Sequence, residues 1–218
     1  RAMISAADWL IWGGAALTGY LFGSIPFGLV IVRLGGLGDI REIGSGNIGA
    51  TNVLRTGRKD LAAATFLLDS GKAGLAAILF AVLFSEQFPA IGLFAGAMAF
   101  VGHCFPVWLN FKGGKGVATY AGLLFAAVLK VGLFAAPCWL IVALISRRSS
   151  VAALVTALLV PIVAWALNYT ANQVIILVAL TLLLIWRHET NIRRILDGTE
   201  PKIGSKSKKE EPAPADAE

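Results

Sequence analysis

Apolar runs broken by charged positions divide the chain into seven stretches, at roughly 9 to 34, 61 to 84, 89 to 109, 114 to 129, 131 to 146, 151 to 167 and 172 to 186. A helix needs about 20 mainly apolar residues to cross about 30 Å of hydrocarbon, and most of these runs approach that length. The fourth and fifth are short and separated only around Lys130, so they read either as two crossings or as one bent element. The pattern predicts an all-α, polytopic membrane protein with seven transmembrane helices.

The basic residues give that alternation a direction. Arg33, Arg41, Arg55, Arg58 and Lys59 lie between the first two runs, Lys112 and Lys115 between the third and fourth, and Arg147 and Arg148 between the fifth and sixth. Arg187, Arg193, Arg194, Lys202, Lys206, Lys208 and Lys209 follow the seventh. With seven crossings all of these share one face, and only Arg1 and Lys130 fall on the other. The positive-inside rule makes the crowded face cytoplasmic, with the N-terminus outside and the C-terminus inside.

Composition agrees. The chain is 57% apolar and 15% charged, whereas soluble domains run near 45–50% and about 25%. The excess apolar surface must face lipid. A net charge of +6 would suggest nucleic acid on a soluble fold, but here the cations flank apolar runs, so no nucleic-acid partner is expected. Residues 1–202 read as one membrane-embedded domain. Residues 203–218, charged and rich in Pro and Ala, cannot bury enough surface to order and read as a disordered tail. Arg1 and Ala2 before Met3 resemble an expression remnant, and no basic n-region or cleavage site follows, so the first run is expected to be retained as a span. Cys104 and Cys138 lie in apolar stretches without metal-ligand spacing and read as core thiols.

Three segments on the basic face carry candidate chemistry. In the first, Arg41 to Asp60, Gly44, Gly46 and Gly49 allow positive φ and close approach of backbone amides to an anion. Ser45, Asn47, Thr51 and Asn52 add neutral donors, and Arg55 adds a planar fork suited to phosphate. Gly44 to Gly49 also matches G-x-G-x-x-G, but that fingerprint needs a strand before it and a helix after it, and here a membrane span precedes it. In the second, Gly102 to Thr119, Lys112 and Lys115 flank Gly113 and Gly114, and Gly116 opens the next helix. Amides at that N-terminus with the two lysines would make a second anion site. In the third, His188 and Asn191 are three apart and share a helical face, and a boundary histidine can accept a proton near neutral pH. His103, in an apolar stretch, reads as structural. Asp69 and Lys72, three apart within the second run, are expected to pair or to face the polar interior.

The strings GSIPFG at 23 to 28, GSGNIGATNVLRTGR at 44 to 58, GHCFPVWLNFKGGKGVAT at 102 to 119 and HETNIRRILDGTEPKIG at 188 to 204 resemble, in order and over most of the chain, the bacterial acyl-phosphate glycerol-3-phosphate acyltransferases, the PlsY family. The first loop is one residue shorter after Thr56 than the family's common form. The resemblance implies a seven-span enzyme of the inner membrane, with its site at the cytoplasmic face. It would move a fatty acyl group from acyl phosphate to the 1-hydroxyl of glycerol 3-phosphate, giving lysophosphatidic acid and inorganic phosphate, without metal or cofactor. Contact with an acyl-phosphate-forming enzyme is left open. Carried over by motif, Ser45, Arg55, Gly113, Gly114, Gly116, His188 and Asn191 are the functional positions, with Glu200 structural.

From this the expected catalytic set is Ser45, His188 and Asn191. Ser45, Asn47, Thr51 and Asn52 are expected on the acyl phosphate, and Arg55, Lys112 and Lys115 on glycerol 3-phosphate, with the two phosphate sites exchangeable. The His-x-x-x-x-Asp pair of CoA-dependent acyltransferases is absent. A transporter of a phosphorylated metabolite is the rival from another class, although its polar groups should reach both faces.

Overall fold

The computed structural model describes residues 5–204. Of the tail expected from 203 to 218, Ile203 and Gly204 are described, and Ile203 is tied to the fold through its amide, which donates to the Arg147 carbonyl at 2.7 Å; the rest lies outside the described residues. The described chain is all-helical: α1 (Ala6–Ser24), α2 (Phe27–Leu34), α3 (Ala50–Val53), α4 (Lys59–Phe84), α5 (Ile91–Cys104), α6 (Val117–Ala127), α7 (Leu129–Ser146), α8 (Ser149–Ala166), α9 (Ala171–Arg187) and α10 (Glu189–Leu196). Two of the apolar helices start on reciprocal caps. Ser5 and Asp8 exchange hydrogen bonds with each other's backbone amides before α1, and Thr170 with Gln173 does so before α9; each cap satisfies amides that have no partner inside the helix.

Five segments are long and apolar enough to cross a membrane: Ala6–Leu34, Lys59–Phe84, Ile91–Leu109, Leu129–Ser146 and Ser149–Ala166. A sixth counts if α9 and α10, bent by 60°, are taken together. α10 carries Glu189, Asn191, Arg193 and Arg194, so we read the crossing as ending at Arg187. The fourth expected span is α6, whose 11 residues reach only about 16 Å. At Val128 the chain turns sharply, and a Cβ on Gly132 would sit 3.0 Å from the carbonyl carbon of Leu124. α6 and α7 are therefore separate helices folded against each other and not one bent rod.

The first expected run, 9 to 34, is not continuous. Pro26 has no amide hydrogen to extend α1 and its ring obstructs the preceding turn, so the helix ends at Ser24 and restarts at Phe27. At the break the Ile25 carbonyl accepts from the Phe27 amide at 3.1 Å. Lys72 of α4 donates to it at 3.0 Å, pairs with Asp69 Oδ1 at 2.9 Å and approaches His103 Nδ1 at 2.9 Å. An ammonium only donates, so Nδ1 is the accepting nitrogen. The expected Asp69–Lys72 pair thus exists as a three-residue cluster with His103, and all three are buried.

Helices approach closely where side chains are smallest. A Cβ on Gly19 or Gly23 of α1 would collide with the Ala95 or Ala99 carbonyl of α5, and one on Gly122 of α6 with Ser70 of α4. Contacts of this kind bring backbones together in lipid, where no hydrophobic force separates one apolar surface from another. Leu67, Leu75, Val82, Ile145 and Leu182 remain exposed on the outside of the bundle, as lipid-facing residues do. Cys104 is buried and Cys138 half-buried, and both are free thiols.

Candidate functional site

The three polar segments meet at one cavity of about 330 Å³. Its mouth is lined by Ser45, Asn47, Thr51, Asn52 and Arg55 of the first loop, by Lys115 and Gly116 of the second, and by His188, Asn191 and Arg194 of the third. The three segments therefore converge on one site. Thr51 and Ser149 hydroxyls lie 3.3 Å apart, and Lys115 donates to Asn191 Oδ1.

The first loop is held from within. Asn52, 2% exposed, directs its amide nitrogen at the carbonyls of Ile40, Ile43 and Asn47 at 3.1, 2.8 and 2.8 Å. Its Oδ1 accepts from the Ser45 amide at 3.0 Å and hydroxyl at 3.2 Å. Gly44 and Gly46 have φ of 59° and 69°, and a Cβ on Gly44 would lie 2.5 Å from Asn52 Oδ1. The glycines let the chain wrap a single asparagine. The expectation that Gly46 and Gly49 aim their amides at an anion is thereby corrected. The Gly46 amide donates to Ile43 and that of Gly49 to Asn47 Oδ1, while Gly44 and Gly46 stand behind the cavity wall. The loop offers the cavity side chains instead: the Ser45 and Thr51 hydroxyls, Asn47 and Arg55.

The second loop differs from expectation in a similar way. Gly113 and Gly114 donate their amides to the carbonyls of Cys104 and His103, and their own carbonyls accept from Arg187 at 2.9 and 3.2 Å. A Cβ at Gly114 would run into the His103 ring. These glycines dock the loop on α5 and α9, and their amides are taken up by that docking. Lys112 is exposed and outside the cavity, because the left-handed residues Asn110 and Phe111, φ 49° and 62°, turn the chain just before it. Lys115 is the lysine that reaches inside. Gly116, φ 79°, precedes α6 with no side-chain cap, and it lines the cavity with Val117 and Ala118. The first-turn amides of α6 are the helix N-terminus expected for an anion.

In the third segment His188 is buried and its Nδ1 lies 2.8 Å from the Leu184 carbonyl. A carbonyl only accepts, so Nδ1 carries the hydrogen and Nε2 is the ring's acceptor. Burial pushes its pKa down to about 4, the bond to Leu184 opposes this and Lys115 adds to it, so the ring is neutral at pH 7. Asn191 joins Lys115 to Glu200 Oε1 at 2.7 Å; Glu200 also accepts from Ser150 at 2.6 Å and Arg194 at 2.8 Å. Burial alone would raise the Glu200 pKa, but those three hydrogen bonds and the Arg194 charge outweigh it and hold the carboxyl below its usual range.

Arg55 and Lys115 differ from the other cations. Among the described residues neither has a carboxylate within ion-pair distance. Burial lowers both pKa values, that of Lys115 to about 8, with Arg194 adding to the effect and Glu200 opposing it. Two desolvated cations without counter-charges leave room for an anion.

Asp69, His103, Ser149, Ser150 and Arg194 also line the cavity and were not expected there. Ser149 and Ser150 follow an arginine pair as the first two residues of α8. Beyond the mouth the cavity continues between α4, α6, α7 and α8 past Phe66, Ala121, Leu124, Phe125, Ala135 and Ala136, all apolar.

The family model described as glycerol-3-phosphate acyltransferase matches residues 14–198. A glycerol-3-phosphate acyltransferase of Hyphomonas neptunium is 56% identical over 203 residues, covering 92% of this chain and 97% of the relative. One of Maricaulis maris is 57% identical over 197 residues, covering 90% and 89%. A crystal structure of PlsY (YgiH), an integral membrane glycerol 3-phosphate acyltransferase in its glycerol 3-phosphate form, superimposes with a TM-score of 0.83 at 36% identity, over 88% of this chain and 96% of that one. Its lysophosphatidic acid form gives 0.81 at 35%, over 88% and 95%. With a matched profile, relatives above half identity and a shared fold, this chain belongs to the glycerol-3-phosphate acyltransferase family of integral membrane proteins that includes PlsY.

Proposed function

We propose that the protein transfers a fatty acyl group from acyl phosphate to the 1-hydroxyl of glycerol 3-phosphate in phospholipid synthesis, releasing lysophosphatidic acid and inorganic phosphate. The observation that carries this reading is the two-part cavity. Cations and neutral donors surround its mouth, and an apolar arm leads from there between the spans. One substrate with a phosphate and a hydroxyl, and another with a phosphate and a chain, fill those two parts. The protein would cross the inner membrane seven times, N-terminus outside, with the site at the cytoplasmic face. The distribution of basic residues supports this orientation, and the fold-back of α6 on α7 supports counting both, a short crossing being accommodated by local thinning of the bilayer.

The hydroxyl oxygen attacks the carbonyl carbon, and the bond from that carbon to the phosphate oxygen breaks. The hydroxyl proton leaves on the released phosphate as hydrogen phosphate. An acyl phosphate is an activated anhydride, so positioning and neutralisation of charge supply the rate. Arg55 and Lys115 hold glycerol 3-phosphate. Ser45, Asn47 and Thr51, with the first-turn amides of α6, face the acyl phosphate. His188 Nε2 accepts the hydroxyl hydrogen and orients its lone pair; a pKa near 4 makes it a poor store for the proton, which the departing phosphate takes. Asn191 fixes Lys115.

Purified protein with palmitoyl phosphate and glycerol 3-phosphate should release phosphate and lysophosphatidic acid in equal amounts; absence of both products ends the proposal. His188→Ala should lower kcat more than about tenfold, roughly 1.4 kcal/mol, and a smaller loss removes His188 from the reaction.

The Lys115 pKa gives a pH dependence. Phosphate binding favours the ammonium, so affinity is highest below about pH 8 and declines as Lys115 loses its proton above it. The phosphate itself becomes a dianion above about pH 6. KM for glycerol 3-phosphate should therefore pass through a minimum between these values and rise above about pH 8. Lys115→Arg, charged throughout, should abolish the alkaline rise; an unchanged rise would exclude Lys115 as its cause.

A further inference from the structure

Three ionisable side chains inside the bundle take no step in the reaction proposed above. Asp69, Lys72 and His103 are each at most 4% exposed. Asp69 and His103 reach the cavity wall, whereas Lys72 does not line it and meets the site only through these partners. Charge inside a span is costly and marks a function by default, and a buried ion pair is often replaced by apolar residues with no loss of stability. Packing alone gives no reason to keep a lysine there.

Lys72 is held on several sides. Its ammonium donates to the Ile25 carbonyl at 3.0 Å and to His103 Nδ1 at 2.9 Å, its charge is met by Asp69 Oδ1 at 2.9 Å, and it sits 5.8 Å over the Phe27 ring. Ile25 and Phe27 flank Pro26, so the break between α1 and α2 is the seat of the lysine. The GSIPFG string has a task at its centre.

The His103 ring is fixed in turn. Nδ1 accepts from Lys72, so the hydrogen is on Nε2, and a Cβ on Gly114 would meet Nε2 before any other atom. Gly114 rests on that edge of the ring. Its amide also donates to the His103 carbonyl at 3.1 Å, so one histidine holds it through ring and backbone together. Lys115 follows directly, lines the cavity and donates to Asn191. A ring turned about its Cβ–Cγ bond would press on Gly114 and displace the peptide that carries Lys115.

We propose that Lys72 is a positioning residue for the phosphate site. It fixes the orientation and the tautomer of the His103 ring, the ring seats Gly114, and Gly114 sets the backbone from which Lys115 reaches glycerol 3-phosphate. This rests on the acyl transfer and on the role of Lys115 proposed above. Lys72 touches neither substrate and acts only through the second loop.

Kinetics and nitrogen NMR on full-length, histidine-labelled protein without a histidine tag test it. The chain holds two histidines, and their bonds set opposite neutral tautomers, Nε2–H in His103 and Nδ1–H in His188. The wild-type spectrum should show one of each. In Lys72→Met the ammonium is gone and Asp69 Oδ1, 3.6 Å from His103 Nδ1, draws the ring hydrogen to that nitrogen. KM for glycerol 3-phosphate should rise about tenfold, with KM for palmitoyl phosphate within about twofold, since misplacing a site group by about 1 Å costs up to about a hundredfold. Lys72→Met leaves Asp69 without its cation, so a second variant, Asp69→Asn with Lys72→Met, removes both charges and separates folding from positioning. It should melt near wild type and show the same rise. An unmoved KM for glycerol 3-phosphate in the folded double variant overturns the proposal. So does a rise in Lys72→Met with the His103 tautomer unchanged, a loss shared equally by both substrates, or a double variant that does not fold, which would make the cluster structural. Wild-type protein without turnover would remove the reaction and the positioning role together, whereas wild-type turnover with an unmoved KM in the variants removes the role of Lys72 alone.

Discussion

Replacing Arg55 with alanine is expected to lower kcat/KM for glycerol 3-phosphate by about two to three orders of magnitude while leaving the melting temperature near that of wild type. The size follows from the setting. The guanidinium is half-buried, its hydrogen bond within the protein is a 3.5 Å contact to Asn52, and burial already lowers its pKa. A preorganised cation in a desolvated pocket supplies about 3–4 kcal/mol where charge must be met during reaction. The same weak tethering explains the stable fold, because little in the loop depends on Arg55. Lys at this position keeps the charge but loses the planar fork, so Arg55→Lys should recover part of the activity. A loss below about tenfold in the alanine variant would show that another group holds the phosphate.

The spans were legible because lipid imposes a simple demand: long apolar runs flanked by charge. Each of the seven expected stretches contains an apolar helix, although five are long enough to cross by themselves and α6 has only 11 residues. The break at Pro26 was not legible in hydropathy, so the run 9 to 34 read as continuous, and a proline alone does not mark a break, since Pro137 and Pro161 lie inside α7 and α8. The site was legible in its residue types more than in their tasks. Ser45, Arg55, Lys115, His188 and Asn191 line the cavity as expected. Lys112 does not, because a charge in a sequence has no direction, and its direction was decided by two left-handed residues before it. Of the glycines singled out, Gly44, Gly46 and Gly116 have the unusual backbone expected of them. Those at 44 and 46 let the first loop close around Asn52, whereas Gly113 and Gly114 serve close docking on α5, Gly114 against His103. The residues missed, Asp69 and His103 within spans and Ser149 and Ser150 at a helix start, reach the cavity through helix packing, which no local spacing displays.

That difference between residue type and task is greatest at Asn52, which carries the second large expected effect. As a direct phosphate ligand, Asn52 would lose affinity on truncation and little else. The structure gives it five strong contacts within its own loop, so its removal should release the backbone that carries Ser45, Asn47 and Arg55. Asn52→Asp separates the two roles. An ionised carboxylate would face the carbonyls of Ile40, Ile43 and Asn47, at 3.1, 2.8 and 2.8 Å from the present amide nitrogen, with no hydrogen to offer them, and would stand beside the phosphate site. Leaving buried acceptors unpaired costs about 1–3 kcal/mol each, and repulsion of the substrate adds to that. We expect kcat/KM to fall by about a thousandfold or more, roughly 4 kcal/mol, with faster proteolysis within residues 41–58. Protonating the carboxyl returns one donor and removes the charge, so its pKa should be raised in this setting and part of the activity should return as pH falls toward 5. Intact protease resistance, with the defect confined to KM, would instead make Asn52 a ligand and the loop self-supporting.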